Sequence, residues 1–128
     1  SEPSLYNKDI ASVEINKGQV EDENLNGEFH VVLFYTPWCG HSKRMLPDFD
    51  SVVDSHHGKV VNNHKIHVVK VDMEDNPEGH KPYQVDVKGF PTTYSFTKKD
   101  GKISNGELFE PRKKQEIIDE IIKRVNQL

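Results

Sequence analysis

The 128-residue chain has one cysteine, Cys39, and one tryptophan, Trp38. A single thiol excludes an internal disulfide, and with it the disulfide-stapled miniproteins and the four-cysteine zinc sites. A chain of this length buries about two-thirds of its unfolded surface in one core, so neither a disulfide nor a metal is needed for folding. The lone cysteine therefore requires a different explanation.

Long apolar runs and an excess of positive charge are also missing. No segment approaches the roughly 20 apolar residues of a transmembrane helix, and Ser1 begins a polar stretch without signal-peptide features. The 17 basic and 21 acidic residues give a net charge of −4, and the dispersed lysines argue against a nucleic-acid-binding surface. We expect residues 1–128 to form a single domain that was excised from a longer protein.

The hydrophobic pattern predicts alternating strands and helices. Residues 30–36 are a continuous apolar run, which predicts a central strand buried on both faces. From Ser42, apolar residues recur at helical spacing, which predicts an amphipathic helix that ends near Gly58 and is kinked at Pro47. The other predicted strands are residues 12–15, 66–72, 92–98 and 103–109, and the other predicted helices are residues 17–25 and 76–84.

The C-terminal third predicts a hairpin followed by a helix. Asp100 and Gly101 tolerate positive φ, so the strands on either side of them should be antiparallel. The final helix carries one apolar stripe, formed by Ile117, Ile118, Ile121, Ile122 and Val125. Together these elements predict an α/β fold with a mixed central β-sheet flanked by helices on both faces.

The candidate site lies where the central strand meets the amphipathic helix, in the segment Trp38-Cys39-Gly40-His41-Ser42. At a helix N-terminus, unpaired backbone N–H groups and the helix dipole favour a thiolate over a thiol, and a protonated His41 would add to this effect. An exposed thiolate of lowered pKa is the nucleophile that thiol–disulfide exchange requires. The segment therefore predicts a reactive Cys39 rather than a buried structural one.

These residues resemble a known family. The stretch from Phe34 to Lys43 is similar to the active-site segment of the protein disulfide isomerase family, within the thioredoxin superfamily. Gly89-Phe90-Pro91-Thr92 is similar to the family's loop in which a cis-proline faces the active cysteine, and Lys70-Val71-Asp72 resembles the strand before that loop. The resemblance covers nearly the whole chain and implies a thioredoxin-like fold.

The resemblance implies a role for each matching residue. Cys39 would form mixed disulfides with protein or peptide clients, and external thiols such as glutathione would be further partners. Arg112 would correspond to a mobile arginine that stabilises the thiolate, and Lys70 is the other charged candidate near the site. The residues implied to border the client-binding surface are Trp38, Gly40, His41, Phe90 and Pro91. The resemblance implies no cofactor, and we expect a monomer located in the endoplasmic reticulum lumen or another secretory compartment.

Two positions depart from the family pattern. Ser42 stands where active members carry the resolving cysteine, so this chain cannot hold an internal disulfide and a captured client would await an external thiol. Leu33 replaces a buried carboxylate that serves proton transfer in many members.

Two interpretations of Ser42 stay open. Either Ser42 is an engineered replacement in an oxidoreductase/isomerase domain, or the chain is a natural single-thiol module that retains or chaperones clients with little turnover. A third alternative, a cysteine hydrolase, has no sequence signature beyond its residue types.

Four histidines, His56, His57, His64 and His67, lie within twelve positions. Their spacing does not match a zinc loop, and no carboxylate or thiol completes the set, so we predict surface histidines and no metal site there. The acidic run Glu21-Asp22-Glu23 likewise fits a solvated helix face better than acid–base catalysis.

Overall fold

The computed structural model describes residues 25–128, so the predicted strand at 12–15 and all but the last residue of the predicted helix at 17–25 lie outside the described residues. Within them the chain forms β1 (Gly27–Tyr35), α1 (Gly40–His56), β2 (Val60–Val61), β3 (His64–Asp72), a 3₁₀ helix (Lys81–Tyr83), β4 (Thr92–Lys99), β5 (Lys102–Ile103), β6 (Glu107–Leu108) and α2 (Lys114–Asn126).

The apolar strand β1 lies at the centre of the sheet, whose order is β2-β3-β1-β4-β5, with β6 also paired to β4. It runs parallel to β3 and antiparallel to β4, so the sheet is mixed, as predicted. Its residues from Phe29 to Tyr35 are buried on both faces, because successive side chains of a strand point to opposite sides and both sides are covered. The central strand was therefore correctly predicted.

The two faces of the sheet are covered differently. Both α-helices pack on the face that carries Phe29, Val31 and Leu33 of β1, where they bury Phe49 of α1 and Ile121 of α2. The opposite face carries Val32 and Phe34 of β1, and Tyr83 of the 3₁₀ helix packs there. The sheet is thus flanked by helices on both faces, although on one face the described helix is a single 3₁₀ turn.

The hairpin after β4 is confirmed. Asp100 and Gly101 have φ values of 52° and 78°, which a tight turn between twisted strands favours. The predicted strand at 103–109, however, is interrupted between β5 and β6. Ser104 Oγ accepts the Thr97 N–H at 2.8 Å, so a side chain replaces a backbone partner at this point and the ladder breaks.

The predicted helix at residues 76–84 is wrong, since only Lys81–Tyr83 is helical and it is a 3₁₀ helix. Pro82 has no N–H to donate, which prevents an α-helical hydrogen bond in the middle of the segment. Gln84 then adopts a left-handed φ of 58° and ends the turn. A methyl group on Gly79 would lie 2.5 Å from Val71 Cγ1, so this turn packs tightly against β3.

The two α-helices follow their predictions closely. Helix α1 begins two residues before Ser42 and runs through Pro47 without interruption, so the kink stays a prediction about its axis. In α2, four of the five stripe residues are buried, but Ile122 is 37% exposed. Asp48 of α1 accepts the N–H of Lys114, the first residue of α2, at 2.8 Å and so links the two helices. Within the described ranges, no helix has the length and apolar character to span a bilayer.

Candidate active site

Cys39 is the N-cap residue of α1, four residues after the end of β1. Its backbone is extended, and its carbonyl oxygen accepts the Lys43 N–H at 2.9 Å, the first hydrogen bond of the helix. The N–H groups of the first helical turn have no partner within the helix and are directed toward this end. The thiol, which is partly exposed, therefore lies beside several free donors, as predicted.

These donors lower the pKa of the Cys39 thiol. The largest cause is the hydrogen bond from the Ser42 backbone N–H, and the His41 N–H and the Ser42 hydroxyl add to it, whereas partial desolvation acts in the opposite direction. The cation that contributes is Arg44. Backbone dipoles rather than a charged side chain thus do most to stabilise the thiolate.

Ser42 is fully buried in the first turn of α1, three residues after Cys39. Its Oγ makes no hydrogen bond to the described residues in the thiol state, yet the hydroxyl is one of the groups that lower the pKa of Cys39. A buried hydroxyl without a partner is unfavourable, and a thiolate acceptor removes that cost. Ser42 therefore stabilises the charged sulfur but, having no thiol, cannot resolve a disulfide.

A loop from the other side of the fold completes the site. The Phe90–Pro91 peptide bond is cis, as the resemblance implies, and the Cys39 thiol donates to the Phe90 carbonyl oxygen at a sulfur–oxygen distance of 3.5 Å. The Trp38 ring packs edge-on against the Phe90 ring, with centroids 6.5 Å apart, while Trp38 itself remains 62% exposed. The sulfur is thus bordered by an exposed aromatic surface and a backbone acceptor.

His41 and Gly40 are both exposed at the start of α1. The guanidinium of Arg44 lies 2.7 Å from His41 Nδ1, and because a guanidinium can only donate, Nδ1 must accept. Sequence reasoning missed Arg44, although its position one turn after His41 on the same helix was a usable signal.

Arg112 and Lys70 lie in different surroundings. Arg112 is exposed and shares a surface pocket with Pro91, Thr92 and Met45, so it lies within the groove beside the cis-proline. Lys70 instead pairs with Asp50 of α1 at 2.8 Å and lies 6.0 Å from the Tyr35 ring centroid. Leu33 is fully buried in the apolar core, where it can neither accept nor release a proton.

The prediction of surface histidines is wrong for two of the four, because His57 and His64 are buried. The rings of His57 and His67 lie 5.7 Å apart, but the four histidines have different polar partners. His56 Nδ1 lies 2.7 Å from Ser55 Oγ, His57 Nδ1 accepts the Val68 N–H at 2.9 Å, and His64 Nδ1 lies 2.6 Å from the Asn62 carbonyl. His67 instead lies against Glu28 and His30, neither of which the sequence analysis singled out. The usable signal was the alternate spacing of Glu28 and His30, which places both on one face of a strand. The run Glu21-Asp22-Glu23 lies outside the described residues.

Comparison with known proteins defines the class. Residues 12–123 match the thioredoxin family, and because this is most of the chain, the protein belongs to that family. The thioredoxin-like fold predicted from the sequence is therefore confirmed.

Individual relatives indicate which members of the thioredoxin family this chain resembles. The chain is 31% identical to the protein disulfide-isomerase of Zea mays over 99 residues, which cover 76% of this chain and 18% of that protein. It is 28% identical to protein disulfide-isomerase A4 of Mus musculus over 124 residues, which cover 97% of this chain and 18% of that protein. The Trx4 domain of ERdj5 superimposes with a TM-score of 0.60 at 20% identity, covering 85% of this chain and 95% of the domain. The chain spans less than a fifth of either curated relative, so it is similar to one thioredoxin-type domain of proteins related to thiol–disulfide oxidoreductases.

Proposed function

We propose that this domain carries out thiol–disulfide exchange on protein clients, with Cys39 as the nucleophile. The observation that carries the proposal is the position of the Cys39 sulfur, at the N-cap of α1 and 3.5 Å from the carbonyl of Phe90. The first feature favours the thiolate over the thiol, and the second supports docking of a client backbone beside it.

The exchange step uses no cofactor. The Cys39 thiolate attacks one sulfur of a client disulfide, a bond forms between Cys39 and that sulfur, and the other client sulfur leaves as a thiolate. One disulfide bond is broken and one is formed, so the step is redox neutral. A lowered thiol pKa also makes Cys39 a good leaving group when the mixed disulfide is later attacked.

Because Ser42 has no thiol, the mixed disulfide must be cleaved by a thiol from the client or from solution. If a second client thiol attacks, the client leaves with a rearranged disulfide and Cys39 is regenerated, which is isomerisation. If an external thiol such as glutathione attacks the client sulfur, Cys39 again leaves as a thiolate and the client carries the external group. Net oxidation of a client by an internal disulfide is not open to this chain, because it has one cysteine.

The client surface that we propose surrounds the sulfur. Trp38 and Phe90 offer aromatic area, Gly40 and His41 offer an exposed backbone, and Pro91 borders the groove that contains Arg112. An extended client segment is expected to pair with the Phe90 backbone as an added strand, because main-chain hydrogen bonds do not depend on client sequence. This suits a domain that acts on many clients.

A second candidate function is client retention. Ser42 and the apolar Leu33 favour it, because Ser42 has no thiol to resolve the mixed disulfide and Leu33 removes a route for proton transfer at position 42. The codon at position 42 of the natural gene distinguishes the two. Cysteine there would make Ser42 engineered and exclude natural retention, whereas serine would exclude native dithiol oxidation.

The proposal is tested by trapping a client. The reduced protein is mixed with a peptide that contains one disulfide, and intact mass spectrometry should find one covalent peptide adduct that glutathione removes. Cys39→Ser is the matched control, because it changes one atom and should form no adduct. Failure of the wild-type chain to form an adduct above the control would overturn the proposal.

Turnover separates exchange from retention. In a glutathione buffer, a client with scrambled disulfides should regain activity faster with the wild-type chain than with Cys39→Ser. If adducts accumulate but the client gains no activity, retention is the function. We further propose that the domain is monomeric, testable by light scattering, and that it works in a secretory compartment, where clients hold disulfides.

A further inference from the structure

A carboxylate and two imidazoles converge on the sheet face opposite the α-helices. Glu28 Oε1 lies 2.9 Å from His30 Nε2 and 3.0 Å from His67 Nε2. The three candidate ligand atoms all lie within 4.8 Å of one another. Three such donors at this separation can coordinate one ion.

The backbone of the two central strands brings these side chains together. Glu28 and His30 are two residues apart on β1 and so share a face, and His30 is the register partner of His67 on the parallel strand β3. The two imidazole rings stack with centroids 4.2 Å apart and planes 4° apart. The group is therefore held by the most rigid part of the fold rather than by loops.

The donors have the chemistry that a borderline transition metal prefers. His30 is 2% exposed, and burial lowers the pKa of both imidazoles, which favours their neutral form. A neutral imidazole has one unprotonated nitrogen, so Nε2, which donates to Glu28 without a metal, can bind one once the ring proton lies on Nδ1. The hydrogen bond from His30 is the largest cause that lowers the pKa of Glu28, which stays ionised. His67 Nε2 is buried and lies 3.0 Å from the same Glu28 oxygen that His30 contacts, so the three donor groups are already adjacent.

The surroundings leave access from solvent. Glu28 is about one-third exposed and borders a surface pocket that also includes Asn26, Lys65 and Lys98, so solvent reaches the cluster from the Glu28 side. Lys65 and Lys98 are the register partners of Glu28. Their positive charge opposes any cation, so binding depends on the donors, and two imidazole nitrogens suit zinc-class ions better than Ca²⁺ or Mg²⁺.

We propose that Glu28, His30 and His67 bind a divalent transition-metal ion of the zinc class, with water as the fourth ligand. Bonds of 2.0–2.1 Å in a tetrahedron separate ligand atoms by roughly 3.3 Å, so the two contacts to Glu28 Oε1 need only a small lengthening. Because an imidazole binds a metal in its own ring plane, one of the two stacked rings must also turn out of the parallel stack. His30 lies five residues before the end of β1, roughly 16 Å along the strand from the Cys39 end of the sheet. The metal would thus join β1 to β3 and would not take part in exchange.

The test is a titration of the full chain with ZnCl₂ by calorimetry, after Cys39 has been blocked with iodoacetamide so that its sulfur cannot bind metal. We expect one ion per chain. Glu28→Gln and His67→Gln should each weaken binding about tenfold or more, since each removes one of three ligands. His56→Gln is the matched control, because His56 lies outside the cluster, and it should bind as the wild type does.

A second measurement guards against misfolded variants. Zinc should raise the thermal midpoint of the wild type and of His56→Gln but not that of Glu28→Gln, whose one-third-exposed side chain tolerates replacement by an amide. Far-UV circular dichroism checks that each variant is folded. If His67→Gln does not fold, the comparison of wild type with Glu28→Gln alone tests whether the cluster binds zinc. Absence of saturable one-to-one binding, or equal affinity in wild type and Glu28→Gln, would overturn the proposal and leave the thiol chemistry untouched.

Discussion

The guanidinium of Arg44 donates to Nδ1 of His41 across one turn at the start of α1, at 2.7 Å. This contact places the neutral-state proton of His41 on Nε2 and holds a permanent positive charge close to Cys39. From the sequence, we expected that electrostatic contribution to come from a protonated His41. The structure gives it to Arg44, which is charged at every physiological pH.

Replacing Arg44 with glutamine should therefore make Cys39 less reactive at acidic pH. Arg44 is exposed, and its charge makes the smallest contribution among the causes that shift the pKa of Cys39. We therefore expect the iodoacetamide rate at pH 6 to fall only about twofold. Lys43→Gln removes the neighbouring charge from the same turn and serves as the control. Equal rates in the two variants would contradict a specific role for Arg44.

Cys39 alkylation should depend on pH differently in the folded and unfolded protein. The folded state favours the thiolate, so the alkylation rate should rise at a lower pH than in urea, where the thiol has its ordinary pKa of about 8.5. By linkage, the thiolate adds stability at high pH, and this contribution is lost as the pH falls through the folded-state pKa. Superimposable pH profiles in the two states would show that Cys39 is not activated.

Ser42→Ala should raise the pKa of Cys39 without unfolding the domain. The change removes one hydrogen-bond donor to the thiolate and leaves the backbone N–H of residue 42 in place, so the alkylation rate at pH 6 should drop about threefold to tenfold. Ser55→Ala is the comparison, since Ser55 lies on the same helix and its hydroxyl bonds to the Val52 carbonyl. A rate equal to that of Ser55→Ala would mean that the Ser42 hydroxyl does not reach the sulfur.

Ser42→Cys should give the domain an internal disulfide. Position 42 is buried one turn along α1 from Cys39, where the family places its resolving thiol. After mild oxidation, thiol titration should find no free cysteine, and mass spectrometry should find a loss of two hydrogens per chain. Persistence of two free thiols would mean that Leu33 or another departure from the family has disabled the site.

Asp48→Ala should destabilise the domain while leaving Cys39 chemistry intact. Asp48 accepts the N–H of the first residue of α2, and loss of such a capping acceptor costs about 0.5–2 kcal/mol in the free energy of unfolding. Urea denaturation measures this loss, and Asp54→Ala, an exposed position on the same helix, should change stability far less. Similar losses in both variants would contradict the capping role.

The fold was predictable where short-range patterns determine structure. The apolar run of β1 and the Asp100-Gly101 turn each carry enough local information, and the contact between Cys39 and Phe90 followed from two motifs of one family. The segment at 76–84 was mispredicted because Pro82 and the packing of Gly79 against Val71 outweigh its N-terminal helix signal.

The cluster of Glu28, His30 and His67 depends on strand register, which one sequence does not reveal. Its members are separated by up to 39 positions along the chain, so no local pattern joins them. The role of Arg44 was missed for a different reason. It depends on the orientation of the Arg44 side chain toward His41, which the sequence does not show.

The Phe90 carbonyl oxygen can serve two donors in succession. While Cys39 is protonated, its S–H occupies this oxygen; once the sulfur loses its proton, it has nothing to donate and the oxygen is vacated. Under the proposed function, a client N–H can then use the vacated acceptor position. Ionisation of a single sulfur thus creates the attacking atom and frees one lone pair of the neighbouring carbonyl at the same time, so the two events are coupled by one proton.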